Sequence, residues 1–161
     1  AKNHRYKECG EAGLLNVTDG NVTDIDTIEE DIREACKLFN VKEIAFDPWQ
    51  ASQMANHLID ERLPAIEVRP VVANFSEPMK ELESLIAQKK FSYDGDPVLT
   101  WMFGNVIAKA DKKDNIFPDK QKPENKIDGV VALIMALNRV NSSIQQGDRD
   151  GYINSGPMVI G

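Results

Sequence analysis

The sequence contains few cysteines and histidines. Two cysteines and two histidines occur in 161 residues, and Cys9 and Cys36 belong to no CxxC or Cys/His pattern. This composition argues against a zinc site and against a disulfide-stabilised secreted scaffold. His4 and His57 are far apart and have no partner at metal-ligand spacing. We therefore expect a protein of a reducing, cytoplasmic compartment.

Long apolar runs and common catalytic signatures are also absent. No segment approaches the roughly 20 apolar residues that a membrane helix requires, and the N-terminal segment lacks the apolar core of a signal peptide. Neither a GxxxxGK nor a GxSxG sequence occurs, which excludes a P-loop ATPase and a typical serine hydrolase within this chain. The hydrophobic content of 42% in 161 residues predicts one soluble domain with a core.

The charge is acidic overall but unevenly distributed. The formal net charge is -7, which argues against a generic DNA-coating protein, since non-specific affinity comes mainly from Lys and Arg. Acidic residues concentrate in residues 19–34, whereas six lysines lie in residues 109–126: Lys109, Lys112, Lys113, Lys120, Lys122 and Lys126. Both stretches are typical of a solvated surface. Only a nearby site would make the lysines a nucleic-acid contact.

In the first half of the chain, hydrophobic periodicity predicts alternating strands and helices. The predicted order is a strand at 14–18, a helix at 25–39, a strand at 42–46, a helix at 51–59 and a strand at 65–69. We expect Glu29 and the other acids of the first helix to face outward or to lie toward the N-terminal end of the helix dipole. This alternation predicts an α/β fold with a partly parallel sheet.

The second half predicts more helices and a hairpin. Ser76 is expected to cap a helix that carries Pro78 in its first turn. A short helix at 97–103, a strand at 105–110, a pairing strand near Ile116 and a buried helix at 127–140 follow. Residues 141–161 have no clear period, and we expect them to form a flexible C-terminal tail after a domain at 1–140.

Two aspartates stand at the ends of apolar elements. Asp47 follows a predicted strand and Asp128 opens the last helix. Each has a structural explanation, since aspartate forms turns and caps helices. Together they could lie at one sheet edge and hold Mg²⁺ or Mn²⁺. Asp111 and Asp114 are better explained as turn residues, and Trp49 and Trp101 as core or cleft-wall residues.

The order of several segments resembles one protein family. These segments are EIAFDPWQASQMANHLIDE, NFSEPMKELESLIAQKK, GDPVLTWMFGNV and IFPDKQKPENKIDGVVALIMALNR. They resemble the C-terminal nuclease domain of the large subunit of tailed-bacteriophage terminases. The resemblance implies a ribonuclease H-like α/β fold, a mixed sheet flanked by helices, with two divalent metals for cutting concatemeric viral DNA. Asp47 and Asp128 fall on two catalytic, metal-binding positions of that family.

The resemblance also implies binding partners, and it shows where these residues differ from the family pattern. Expected partners are double-stranded phage DNA, the portal and the small terminase subunit, in the cytoplasm of a bacterial host. In this family a further catalytic aspartate lies on an earlier strand, and an ATPase domain precedes it; neither occurs in these residues. We therefore expect a C-terminal part of a larger protein, lacking its first strands and weak or inactive as a nuclease. The exposed sheet edge predicts pairing, including a possible homodimer.

Two alternatives remain open at this point. The chain could be a non-catalytic module that docks DNA or the portal. It could also be another ribonuclease H-like nuclease, since this fold hosts several DNA-processing chemistries. The effect of alanine at Asp47 and Asp128 separates the docking module from a nuclease, because only a nuclease needs these carboxylates for chemistry.

Overall fold

The structure is a computed structural model that describes residues 4–18, 20 and 23–145. The chain divides into two compact units, Ala1–Arg69 and Pro70–Gly161. Within the described residues, no helix is both long and apolar enough to cross a membrane. The predicted division into a domain at 1–140 and a tail stays a prediction.

The first unit contains a strand–helix–strand arrangement. Its elements are α1 (His4–Glu11), α2 (Ile25–Leu38), β1 (Ile44–Phe46), α3 (Pro48–Asp60) and β2 (Ala65–Glu67). β1 and β2 pair in parallel, as predicted, with α3 as the connection between them. The predicted strand at 14–18 is wrong, because its described residues have no strand partner. A weak alternation of side chains cannot form a strand without a neighbour that accepts its backbone hydrogen bonds.

A buried carboxylate joins α2 to α3. Glu29 is buried, which corrects the expectation that it faces outward. Its two oxygens accept hydrogen bonds from His57 Nδ1 at 2.7 Å and from Arg33 at 2.8 Å. Arg33 also donates to both oxygens of Glu61, at 2.7 and 2.8 Å. A buried carboxylate is tolerated when such partners satisfy it, and here the partners lie on both helices.

The second unit contains three helices and a hairpin. Its elements are α4 (Val72–Ala87), α5 (Pro97–Phe103), β3 (Val106–Ala110), β4 (Ile116–Lys120) and α6 (Asp128–Gln145). β3 and β4 pair in antiparallel register, with Lys109 opposite Phe117. α6 is buried at Val130, Ile134 and neighbouring apolar residues, as predicted, but it is exposed at Ala132 and Ala136, and it continues to Gln145. The predicted tail at 141–161 therefore begins inside a helix, and residues 146–161 lie outside the described part of the chain.

Ser76 has a different role from the predicted one. α4 begins at Val72, so Ser76 lies inside the helix rather than at its start. The Ser76 hydroxyl accepts a hydrogen bond from the backbone amide of Ile116 at 3.1 Å. Beside it, the rings of Phe75 and Phe117 stack with centroids 5.5 Å apart. The serine therefore contributes to packing between α4 and β4, a role that local sequence does not reveal.

The same shift places Pro78 in the interior of α4. Proline has no backbone N–H, so it cannot donate to the carbonyl of Asn74, one turn earlier. The side chain of Asn138, on α6, donates to this carbonyl at 2.9 Å. A side chain of α6 thus replaces the hydrogen bond that the proline removes, and it ties α4 to α6 at this point.

The replacement predicts coupling between Pro78 and Asn138. Asn138→Ala leaves the Asn74 carbonyl without this donor and should lower the free energy of unfolding by ~1–3 kcal/mol. In a Pro78→Ala background the loss should be smaller, because the substituted alanine supplies its own N–H. Urea unfolding of the four proteins measures the coupling. Asn141→Ala, which removes a bond to Glu81 instead, should cost the same in both backgrounds. Equal losses for Asn138→Ala would contradict the replacement.

The buried carboxylate predicts acid sensitivity of the first unit. The hydrogen bond from His57 lowers the pKa of Glu29 below its usual value of 4.5, although burial opposes this shift. The folded state therefore binds a proton less readily than the unfolded state, and acidification favours unfolding. The contribution of Glu29 is present above about pH 4.5 and is lost as the pH falls through the folded pKa.

Urea unfolding between neutral and acid pH tests this expectation. The unfolding midpoint of the wild type should fall more steeply below the usual glutamate pKa than that of Glu29→Gln. Glu30→Gln is the matched control, because Glu30 lies on the same helix with its side chain 56% exposed. Glu30→Gln should keep the acid dependence of the wild type. If Glu29→Gln keeps it as well, the lowered pKa of Glu29 does not cause the acid sensitivity.

Candidate active site

Asp47 lies at the turn from a strand into a helix. β1 ends at Phe46, and Asp47 caps α3 with an extended backbone, φ -83° and ψ 118°. Its Oδ1 accepts a hydrogen bond from the backbone amide of Trp49 at 3.0 Å. Pro48 occupies the first helical position, where its missing N–H costs nothing. The half-buried carboxylate thus has one oxygen used by the cap, and its Oδ2 accepts no hydrogen bond from the described residues.

The sequence predicts Trp49 to be a core or cleft-wall residue, and the structure shows that it is not in the core. The residue is 87% exposed, although it follows Pro48 in the first turn of α3. The cap bond uses its backbone amide and leaves the ring free to extend into solvent. A large apolar ring therefore lies within two residues of the candidate carboxylate of Asp47.

Asp128 is the first residue of α6, and it is exposed between buried neighbours. Ile127 and Val130 are buried, while Asp128 itself is open to solvent. The amide of Gly129 donates to the sulfur of Met102 at 3.1 Å, and the side chain of Asn105 donates to the carbonyl of Lys126 at 2.9 Å. The backbone on both sides of Asp128 is thereby attached to the preceding elements.

The supporting residues Asn105 and Gly129 were missed by sequence reasoning. A glycine directly after the aspartate and an asparagine directly after Gly104 were visible signals. Neither signal identifies its partner, because the partners lie about 20–30 residues away in sequence.

The two predicted acids belong to different units. Asp47 lies in the first and Asp128 in the second, so their convergence stays a prediction. Across residues 4–18, 20 and 23–145, no three His, Cys, Asp or Glu side chains form a group suited to a metal ion. The donor chemistry nevertheless suits Mg²⁺ or Mn²⁺, since both ions prefer carboxylate oxygens.

The six predicted DNA-binding lysines all lie in the second unit, as Asp128 does. Lys112 and Lys113 are exposed in the turn of the β3–β4 hairpin. Lys109 is exposed, and its Nζ lies 3.7 Å from Oδ2 of Asp119. The remaining lysines occupy the end of β4 and the segment leading to α6: Lys120, Lys122 and Lys126. Contact with DNA stays a prediction for all six.

Asp111 shapes the hairpin turn, as predicted. Its carboxylate accepts hydrogen bonds from the backbone amides of Lys113 at 2.7 Å and Asn115 at 3.0 Å, and from the Asn115 side chain at 2.9 Å. These bonds, led by the one from the Asn115 side chain, lower the pKa of Asp111. Asp114 has a positive φ of 59°, a conformation that aspartate tolerates in turns. Both residues therefore have turn roles.

The parallel pair β1–β2 with its connecting helix α3, together with the helices and the hairpin of the second unit, defines a protein of the α/β class. The family model described as the endonuclease domain of the terminase large subunit matches residues 1–143. The chain belongs to this family, as its sequence had indicated.

Relatives and a solved structure agree with this assignment. Protein YmfN of Escherichia coli K12 is 42% identical over 137 residues, which cover 84% of this chain and 30% of that protein. The terminase large subunit of Enterobacteria phage HK97 is 31% identical over 145 residues, which cover 88% of this chain and 29% of that protein. The chain thus spans less than a third of the length of these relatives.

The crystal structure of the HK97 bacteriophage large terminase matches with a TM-score of 0.74 and 29% identity. The match covers 83% of this chain and 28% of that one. This likeness confirms the predicted fold class, the ribonuclease H-like α/β fold, here with one parallel and one antiparallel strand pair.

The geometry of Asp47 predicts a measurable capping role. Asp47→Ala removes the cap of α3 and should lower the free energy of unfolding by ~1 kcal/mol, whereas Asp47→Asn keeps a cap acceptor and should cost less. Urea unfolding measures both changes. Asp24→Ala, which removes the corresponding bond to Thr27 at the start of α2, is the control for loss of a cap. Equal destabilisation by Asn and Ala at position 47 would contradict a capping role.

Proposed function

We propose that this chain is the DNA-cleaving portion of a viral DNA-packaging enzyme. Its substrate is concatemeric double-stranded phage DNA, and its reaction is hydrolysis of a phosphodiester bond. The observation that carries this proposal is the family match across residues 1–143, within which Asp47 and Asp128 each stand at the start of a helix.

The two aspartates are assigned as catalytic, metal-binding residues. Asp47 would present Oδ2, because its Oδ1 is used by the cap of α3. Asp128 would present its exposed carboxylate from the first turn of α6. When bound, Mg²⁺ or Mn²⁺ supplies an activated water and stabilises negative charge on the leaving oxygen. Two carboxylates are too few for a complete two-metal site, so we expect this chain alone to bind metal weakly and cleave little DNA.

The lysines are assigned to the phosphate backbone. Lys112 and Lys113 project from a turn that Asp111 stabilises, so their backbone positions are defined while their side chains remain accessible. Lysine neutralises phosphate without reading sequence, which predicts binding that weakens steeply with salt. The acidic charge of the rest of the chain would confine such binding to this surface.

The partners follow from the same proposal. The longer protein would work in the host cytoplasm with the portal and the small terminase subunit. β1 and β2 form a two-stranded parallel pair, and parallel sheets are normally covered on both faces and extended by further strands. This supports pairing of the exposed edge with another strand, either from the longer protein or from a second copy.

Metal binding and DNA cleavage test the proposal on the 161-residue chain. Binding of Mn²⁺, followed by the loss of the free-ion electron paramagnetic resonance signal, should weaken on the order of 10-fold or more in Asp47→Asn and in Asp128→Asn. Asp60→Asn, an exposed carboxylate at the end of α3, should bind as the wild type does. Plasmid nicking by the wild-type chain should be slight.

The outcomes distinguish the alternatives. Unchanged Mn²⁺ binding in both variants would overturn the metal-binding assignment. Strong metal-dependent nicking that either substitution abolishes would support the nuclease and contradict the expected weakness of this chain. DNA binding that survives both substitutions without any metal dependence would favour the docking module instead.

A further inference from the structure

We propose that Asn105 and Gly129 are positioning residues that set the place and direction of the Asp128 carboxylate by fixing the backbone on either side of it. The inference rests on the proposed function, in which Asp128 binds metal. It concerns residues to which the family resemblance assigned no role.

Asn105 fixes the backbone before Asp128. Its side-chain amide donates to the carbonyl of Lys126 at 2.9 Å, and the residue is 7% exposed. Its own backbone is also bonded on both sides: its N–H donates to the carbonyl of Met102 at 3.1 Å, and its carbonyl accepts from Gln121 at 2.9 Å. The side chain that reaches Lys126 therefore extends from a fixed point between α5 and β3.

Gly129 fixes the backbone after Asp128. Its N–H donates to the sulfur of buried Met102. A Cβ at this position would lie 3.1 Å from that sulfur and 3.2 Å from a methyl carbon of Leu99, where ordinary contacts begin at 3.4 Å. An alanine here would require the side chains of Met102 and Leu99 to shift by a few tenths of an ångström, so the glycine favours the close approach of α6 to α5. This close approach distinguishes Gly129, since its backbone has no positive φ.

These contacts leave Asp128 little backbone freedom. The carbonyl two residues before it and the amide directly after it are both bonded to the α5 region, while its side chain is exposed. A metal ligand needs this combination, because coordination tolerates only small displacements of the donor atoms, and groups that orient a ligand affect affinity strongly.

A purely structural role predicts a different result, and the chain offers a matched control. Asn138 also donates its side-chain amide to a backbone carbonyl at 2.9 Å in the same unit. It lies further along α6, away from Asp128. If Asn105 only stabilises the fold, Asn105→Ala and Asn138→Ala should have the same effects. If Asn105 positions Asp128, only Asn105→Ala should change metal binding.

The experiment is Mn²⁺ titration of the 161-residue chain, with urea unfolding of each variant beside it. Asn105→Ala should raise the Mn²⁺ dissociation constant on the order of 10-fold, and Asn138→Ala should leave it unchanged although both lower the unfolding midpoint. Gly129→Ala should also weaken binding. Adding Leu99→Ala to Gly129→Ala removes one of the two close contacts and should restore part of the affinity.

The results separate this inference from the proposed function. Equal dissociation constants for Asn105→Ala and Asn138→Ala overturn the positioning role. If Asn105→Ala fails to fold, Gly129→Ala and the double variant with Leu99→Ala decide. Normal Mn²⁺ binding by Gly129→Ala overturns the positioning role as well. If Asp128→Asn itself binds Mn²⁺ normally, the metal-binding assignment fails, whatever the other variants do.

Discussion

The burial of α6 is the constraint on which the second unit depends. Val130 and Ile134 are almost fully buried, and the helix packs against both α4 and α5. A helix enclosed on most sides must satisfy polar groups at its surface without water. Two asparagines make such bonds at its contacts: Asn105 donates to the Lys126 carbonyl just before α6, and Asn138, on α6, donates to the Asn74 carbonyl of α4. The exposed Asp128 therefore lies on a backbone that is hydrogen-bonded to the α5 region both before and after it.

In the first unit, charged side chains satisfy a buried carboxylate. The carboxylate of Glu29 lies between α2 and α3, where Arg33 and His57 satisfy it. The network attaches α3 to α2, while the start of α3 is set by the cap that Asp47 forms. One oxygen of Asp47 accepts the cap bond of α3, and the proposed function assigns the other to a metal ion. Both candidate acids stand where a helix begins and the backbone is fixed.

Local signals were enough to predict most elements. Alternating and helical periodicity predicted β1, α2 and α3, and the Asp96-Pro97 pair marks the start of α5. Predictions failed where the deciding partner is distant in sequence. Ser76 resembles a helix cap, yet its hydroxyl bonds Ile116 from inside α4. Glu29 belongs to an acidic helix surface by pattern, yet it is buried and bonded to His57 on α3. No local sequence pattern identifies those partners.

By itself, the sequence determined the family, the α/β class and the two helix starts that carry Asp47 and Asp128, because caps, prolines and periodicity act over a few residues. Only the tertiary structure decided which residues support those acids. Gly129 and Asn105 acquire their roles from the close approach of α6 to α5, and Asn138 acquires its role from the proline in α4. The physical reason is that buried hydrogen bonds and steric contacts join residues whose distance along the chain is unrelated to their distance in space.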